Sequence, residues 1–236
     1  MAVPTPILLH GEIGGPACWG AIDGRFAGVA SIRLPGHPDG DATADLEVSV
    51  GRVARTVARL DPPRVLIGHG VGGALAIEVA LQDPDLLAGI ITFGVGTELP
   101  VDDGSLMAAF TDHAAEAHRL LAESVHQHDT PEALRIAGLM EQAGARTLAA
   151  DYQLCRQVQL VDRTTELRIP VLVVAGADDV WAPPEVVELL AQQIPTATMV
   201  VVPGARHLVM VDRPDVCSQL VAAFLARIEL SAEDAL

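Results

Sequence analysis

Four short segments carry the residue types able to do chemistry: His10-Gly11-Glu12-Ile13-Gly14-Gly15, Gly68-His69-Gly70-Val71-Gly72-Gly73, Gly176-Ala177-Asp178-Asp179, and Pro203-Gly204-Ala205-Arg206-His207. Each follows an apolar run. A carboxylate and a histidine at the ends of successive strands, beside a glycine-rich turn, are the components of general acid–base work. The Glu12 carboxylate, next to the first loop, could itself act as an acid or base, or simply be solvated. No side-chain nucleophile accompanies them. The six serines, Ser31, Ser49, Ser105, Ser124, Ser218 and Ser231, all lie outside these turns. Cys18 stands beyond the first loop, and Cys155 and Cys217 fall on apolar faces, where cysteine is usually a small buried hydrophobe. His126-Gln127-His128, with His113 and His118, suggests no metal site, because residues i and i+2 of a helix do not face each other and no matching carboxylate or Cys spacing accompanies them.

The elements that must position these turns follow from the pattern around them. Ile7–Leu9, Val29–Leu34, Arg64–Ile67, Gly89–Phe93, Val171–Val174 and Thr198–Val202 are short, mostly β-branched runs ending at Gly or Pro, which is how buried parallel strands read. Helical periodicity fills 47–60, 71–82, 184–193 and 212–228. The alternation predicts an α/β fold with a mostly parallel sheet of about six strands flanked by helices. Residues 97–168 break the rhythm, with helix-like stretches at 105–126, 131–142 and 145–160. A segment that long is not a loop, so it reads as a helical cap inserted between core segments 1–96 and 169–236.

Composition narrows the chemistry further. All 15 basic residues are Arg, and Lys is absent, which excludes lysine Schiff bases and the P-loop lysine. With 31 acidic residues, a formal charge of −16 and 3% aromatics, the chain is poorly suited to nucleic acid or an anionic membrane. Three scattered cysteines form neither a disulfide framework nor a zinc motif. No basic n-region opens the chain and no apolar run reaches membrane length, so a cytoplasmic protein with a small-molecule substrate and no cofactor is expected.

The order of these motifs resembles the α/β-hydrolase fold superfamily over nearly the whole chain. The resemblance rests on His10-Gly11, Pro35-Gly36-His37, the acid turn ending at Pro183, and Pro203-Gly204-x-x-His207. In that family the turn after the third of these strands reads G-x-S-x-G, with Ser as nucleophile. Here it reads Gly68-His69-Gly70-Val71-Gly72, and Gly70 stands at the nucleophile position. The resemblance implies Asp179 as the acid in preference to Asp178, His207 as the histidine, and the backbone N–H groups of Glu12 and Val71 as the oxyanion hole. It implies structural roles for His10, His37 and His69. Trp181 and Met210 line the pocket or belong to the core.

Without a serine there is no acyl-enzyme. The expected function is therefore a cofactor-free enzyme acting on a small, fairly apolar molecule, with His207 as base, Asp179 orienting it and the two amides stabilising an enolate or alkoxide. Elimination, cyclisation or isomerisation, such as natural-product tailoring, fits best. Water-mediated hydrolysis of an ester, lactone or thioester is an alternative, as is a non-catalytic ligand-binding protein. Gly68-x-Gly70-x-x-Gly73 also admits a dinucleotide site, although it follows two earlier strands and leaves Asp179 and His207 unexplained.

Overall fold

The computed structural model describes residues 3–37 and 40–233, with the side chains of 231–233 left aside. Six strands form one sheet: β1 (Thr5–Leu9), β2 (Ala30–Ile32), β3 (Arg64–His69), β4 (Gly89–Phe93), β5 (Val171–Gly176) and β6 (Ala197–Val202). Their order is β2-β1-β3-β4-β5-β6, and every pairing is parallel. All the strands therefore end on the same edge, where the four chemistry-bearing turns gather.

Strand residues alternate between two apolar layers, as the pleat requires. Ile7, Leu9, Leu66 and Ile90 pack with α1 (Leu46–Val57) and α2 (Val71–Gln82) on one face. Leu8, Val65, Ile67 and Phe93 pack on the other with Trp19, Cys18 and the C-terminal residues Cys217, Val221 and Phe224. Near-continuous apolar strands, buried on both faces, are the sequence signature of this arrangement.

Three helices lie between β4 and β5: α3 (Asp103–Thr111), α4 (His113–Ser124) and α5 (Pro131–Gln157). The periodicity over 105–126 predicts one helix, and the structure has two. Asp112 breaks the run: it leaves the helical region at φ −155° and its carboxylate accepts the Ala115 N–H at 3.1 Å, capping α4. Thr130 caps α5 in the same way, and α5 is interrupted at Gly144, whose φ of 82° is non-helical. After β5 come α6 (Pro184–Gln193), the one-turn α7 (Val209–Asp212) and α8 (Pro214–Glu233). No helix among the described residues is long and apolar enough to cross a membrane.

Candidate active site

β3 ends at His69 and α2 begins at Val71, so the chain turns through the single residue Gly70, at φ 51° and ψ −127°. A residue with a side chain would be held there at a cost of about 1–3 kcal/mol, which glycine avoids. The neighbouring glycines serve packing: a Cβ on Gly72 would collide with the His10 carbonyl, and one on Gly73 would lie 2.6 Å from Val95 Cγ2. The G-x-G-x-x-G spacing is thus accounted for by close strand–helix contact.

The space a side chain at position 70 would take is already occupied. A Cβ on Gly70 would lie 2.5 Å from Glu12 Oε2 and 2.8 Å from Oε1. Glu12 reaches this point from the loop after β1, and its Oε2 accepts the Val71 N–H at 2.8 Å. A carboxylate at the first N–H of a helix is where the helix dipole favours negative charge. Its other oxygen, Oε1, faces His207 Nε2 at 3.8 Å. On the far side of the ring, His207 Nδ1–H donates to Asp179 Oδ2 at 2.8 Å. The second oxygen of Asp179 accepts the N–H groups of Trp181 (2.8 Å) and Ala182 (3.0 Å), which fixes the carboxylate. The loop bearing His207 is held by Asp212, which accepts the Arg206 N–H at 2.8 Å and the His126 N–H at 2.9 Å.

Charge in this row is set by its neighbours. Burial alone would push the His207 pKa down, but Asp179 and then Glu12 raise it to about 10. Burial would likewise raise Glu12, but the facing His207, with His69 and the Val71 N–H, lowers it to about 2. Asp179 is also held below its usual range, against burial, by His207. The neighbours thus favour a charged row of carboxylate, imidazolium, carboxylate. His69 packs edge-on to His207, ring centroids 4.5 Å apart, and burial followed by the His207 charge lowers its pKa to about 3, so it stays neutral. His10 is lowered to about 3 by burial and then by His37; its Nε2 accepts the Leu34 N–H at 3.0 Å, tying β1 to the segment after β2.

One expectation changes: the Val71 N–H is engaged by the Glu12 carboxylate, so it is not an open oxyanion donor in this state. The expected His207–Asp179 pair is formed, and the carboxylates on both sides of the ring favour its charged form. Met210 is fully buried in the apolar core and does not line the site cavity, whereas Trp181 does. Asp178 lies apart, its Oδ2 3.0 Å from His126 Nε2.

The cavity over Glu12 and His207 measures about 30 Å³, the volume share of about one water. Leu120, Tyr152 and Cys155, from α4 and α5, close it together with Trp181. Sequence reasoning did not single out Leu120 or Tyr152, because apolar positions on a helix carry no mark of what they cover. Burial raises the Cys155 thiol well above its usual range, which keeps it neutral. His207 Nε2 and Trp181 Nε1 are buried without a hydrogen-bond partner among the described residues. Arg119 lies 5.2 Å above the Trp181 ring and pairs with Glu116, which accepts the Tyr152 hydroxyl, so the helices and the acid loop are linked over the site.

A six-stranded parallel sheet whose elbow, acid turn and histidine loop converge in this way defines an α/β-hydrolase fold. The Alpha/beta hydrolase family profile matches residues 7–220, and the chain belongs to that family. Among curated relatives, a pimeloyl-[acyl-carrier protein] methyl ester esterase of Yersinia enterocolitica is 26% identical, covering 92% of each chain. A pyrethroid hydrolase of Sphingobium wenxiniae is 25% identical, covering 95% of this chain and 88% of its own. Among solved structures, an esterase from Exiguobacterium antarcticum superposes with a TM-score of 0.86 at 16% identity, covering 94% of this chain and 92% of its own. These relatives are named as hydrolases, and the chain shares their fold.

Proposed function

We propose that this protein is a cofactor-free acid–base enzyme of the α/β-hydrolase family in which Glu12 stands in for the missing nucleophile's side chain. The observation that carries this reading is the placement of the Glu12 carboxylate in the space above Gly70, facing His207 Nε2 across 3.8 Å. In the reaction, Glu12 removes a proton from a substrate carbon or hydroxyl while His207 Nε2–H delivers one to the departing or rearranging oxygen. The two steps help each other: as His207 gives up its proton, the charge that depresses Glu12 disappears and its basicity rises. Proton transfer from Glu12 back to His207 then restores the resting state. Leu120, Tyr152, Cys155 and Trp181 close over the pair and part to admit a small, fairly apolar molecule for elimination, cyclisation or isomerisation. The engaged Val71 N–H is less suited to stabilising the oxyanion of ester hydrolysis.

Water-mediated ester or lactone hydrolysis is the second reading, favoured by the names of the relatives. A panel of short esters, lactones and β-hydroxy ketones, incubated in H₂¹⁸O, separates the two. Dehydration of the β-hydroxy ketones to enones, lost in Glu12→Gln and His207→Ala, with no ¹⁸O-labelled carboxylate from the esters or lactones, is the expected result. ¹⁸O-labelled carboxylate without enone would assign hydrolysis and overturn the proposal.

A further inference from the structure

Outside the site above, a second cavity lies on the other side of the Gly-rich loop. It measures about 350 Å³, at the small end of the roughly 300–1,000 Å³ typical of ligand pockets. Gly14 and Gly15 of the loop form one wall, and Pro16, Ala17, Leu139 and Met140 supply apolar surface. Two guanidinium groups, Arg33 and Arg135, line it as well. Arg135 makes one bond, from Nη2 to the Ala17 carbonyl at 3.3 Å, and Arg33 makes no side-chain hydrogen bond or ion pair among the described residues.

His37 also faces this cavity, and it is a built group. It is 7% exposed, and its Nε2 lies 2.8 Å from Oδ2 of Asp151, which is 2% exposed. Its Nδ1 lies next to Gly15, where a Cβ would approach it to 3.2 Å. The ring is braced edge-on against His10, centroids 4.6 Å apart. Among the described residues lining the cavity, Asp23 is the only carboxylate, and it is exposed. On a chain of formal charge −16, two arginines and a fixed imidazole around one apolar-walled cavity form an unusual concentration of donors.

We infer that this cavity is a second ligand site, for a small carboxylate with a short apolar chain. Arg33 and Arg135 would take the carboxylate, His37 would supply a further polar contact, and Leu139 and Met140 would cover the chain. Arg provides the planar, paired donors that match a carboxylate. The inference does not depend on proton transfer at Glu12, and the two can fail separately.

Isothermal titration with hexanoate, and with hexanamide as its neutral counterpart, tests it on the whole protein. Arg33→Gln and Arg135→Gln change exposed side chains and leave the core intact, which circular dichroism checks. The expected result is saturable hexanoate binding, weakened about tenfold or more by either Arg variant, with hexanamide bound far more weakly. Glu12→Gln should leave hexanoate affinity unchanged. No saturable binding would overturn the inference. So would equal affinity for hexanamide, or binding that survives in the Arg33→Gln/Arg135→Gln protein. Loss of binding in Glu12→Gln alone would place the ligand in the reaction site instead and also overturn it.

Discussion

Two buried histidine–aspartate pairs of equal length, 2.8 Å each, differ in everything around them. His207 gives Nδ1 to Asp179 and turns Nε2 toward Glu12; His37 gives Nε2 to Asp151 and leaves Nδ1 beside Gly15. Asp179 is held below its usual pKa range despite burial, because His207 and two backbone N–H groups favour its charge. Asp151 is pushed above that range, because burial outweighs the help from His37. Distance alone therefore does not define a charged dyad. The backbone donors on Asp179 and the second carboxylate on the far side of His207 make one pair a fixed charge row.

The largest effect expected from breaking that asymmetry is on turnover. His207→Ala should lower the rate of any identified reaction by about 10²–10⁴-fold, measured as kcat/KM, since it removes the proton donor. Asp179→Asn should follow closely by freeing the ring. A paired substitution sharpens the comparison further. Gly70→Ser alone forces a Cβ to within 2.5 Å of Glu12 Oε2 in a positive-φ turn, and should cost about 1–3 kcal/mol in denaturant unfolding without yielding esterase activity. Gly70→Ser/Glu12→Ala removes the clash and releases the Val71 N–H, so it should hydrolyse p-nitrophenyl acetate above the wild-type rate. An inactive, folded double variant would count against Glu12 as the occupant of the nucleophile's place.

Stability should follow pH through the same row. His207 is raised from 6.5 to about 10, so its contribution is complete below about 6.5 and is lost as pH rises toward 10. Glu12 is lowered from 4.5 to about 2, so its contribution is complete above about 4.5 and is lost as pH falls toward 2. Denaturation midpoints should therefore be highest between these limits. Glu12→Gln should flatten the acid limb and move the alkaline limb to lower pH. The smallest effect is expected at the other pair: Asp151→Asn keeps a hydrogen-bond acceptor for His37, and it should shift unfolding free energy by no more than about 1 kcal/mol.

Much of this could be read in the residues. The apolar runs ending at Gly or Pro place all six strands, and the motif order places Gly70, Asp179 and His207 on one sheet edge. What could not be read is where long side chains reach. Glu12 is 58 positions from Gly70, and only the parallel pairing of β1 with β3 brings its carboxylate over the elbow. Met210 and Trp181 are equally apolar neighbours of the motif, yet one turns into the core and the other onto the site. His37 carries no sign in the sequence of its partner Asp151, which comes from beyond the Gly144 break in α5.

The central claim is that Glu12 completes a charge row that keeps His207 protonated. Titrating His207 by ¹⁵N-imidazole NMR tests it without knowledge of the substrate. The account predicts an imidazolium through neutral pH with a midpoint near 10, falling in Glu12→Gln. A His207 that titrates at or below 6.5, or one that is indifferent to Glu12→Gln, would contradict it.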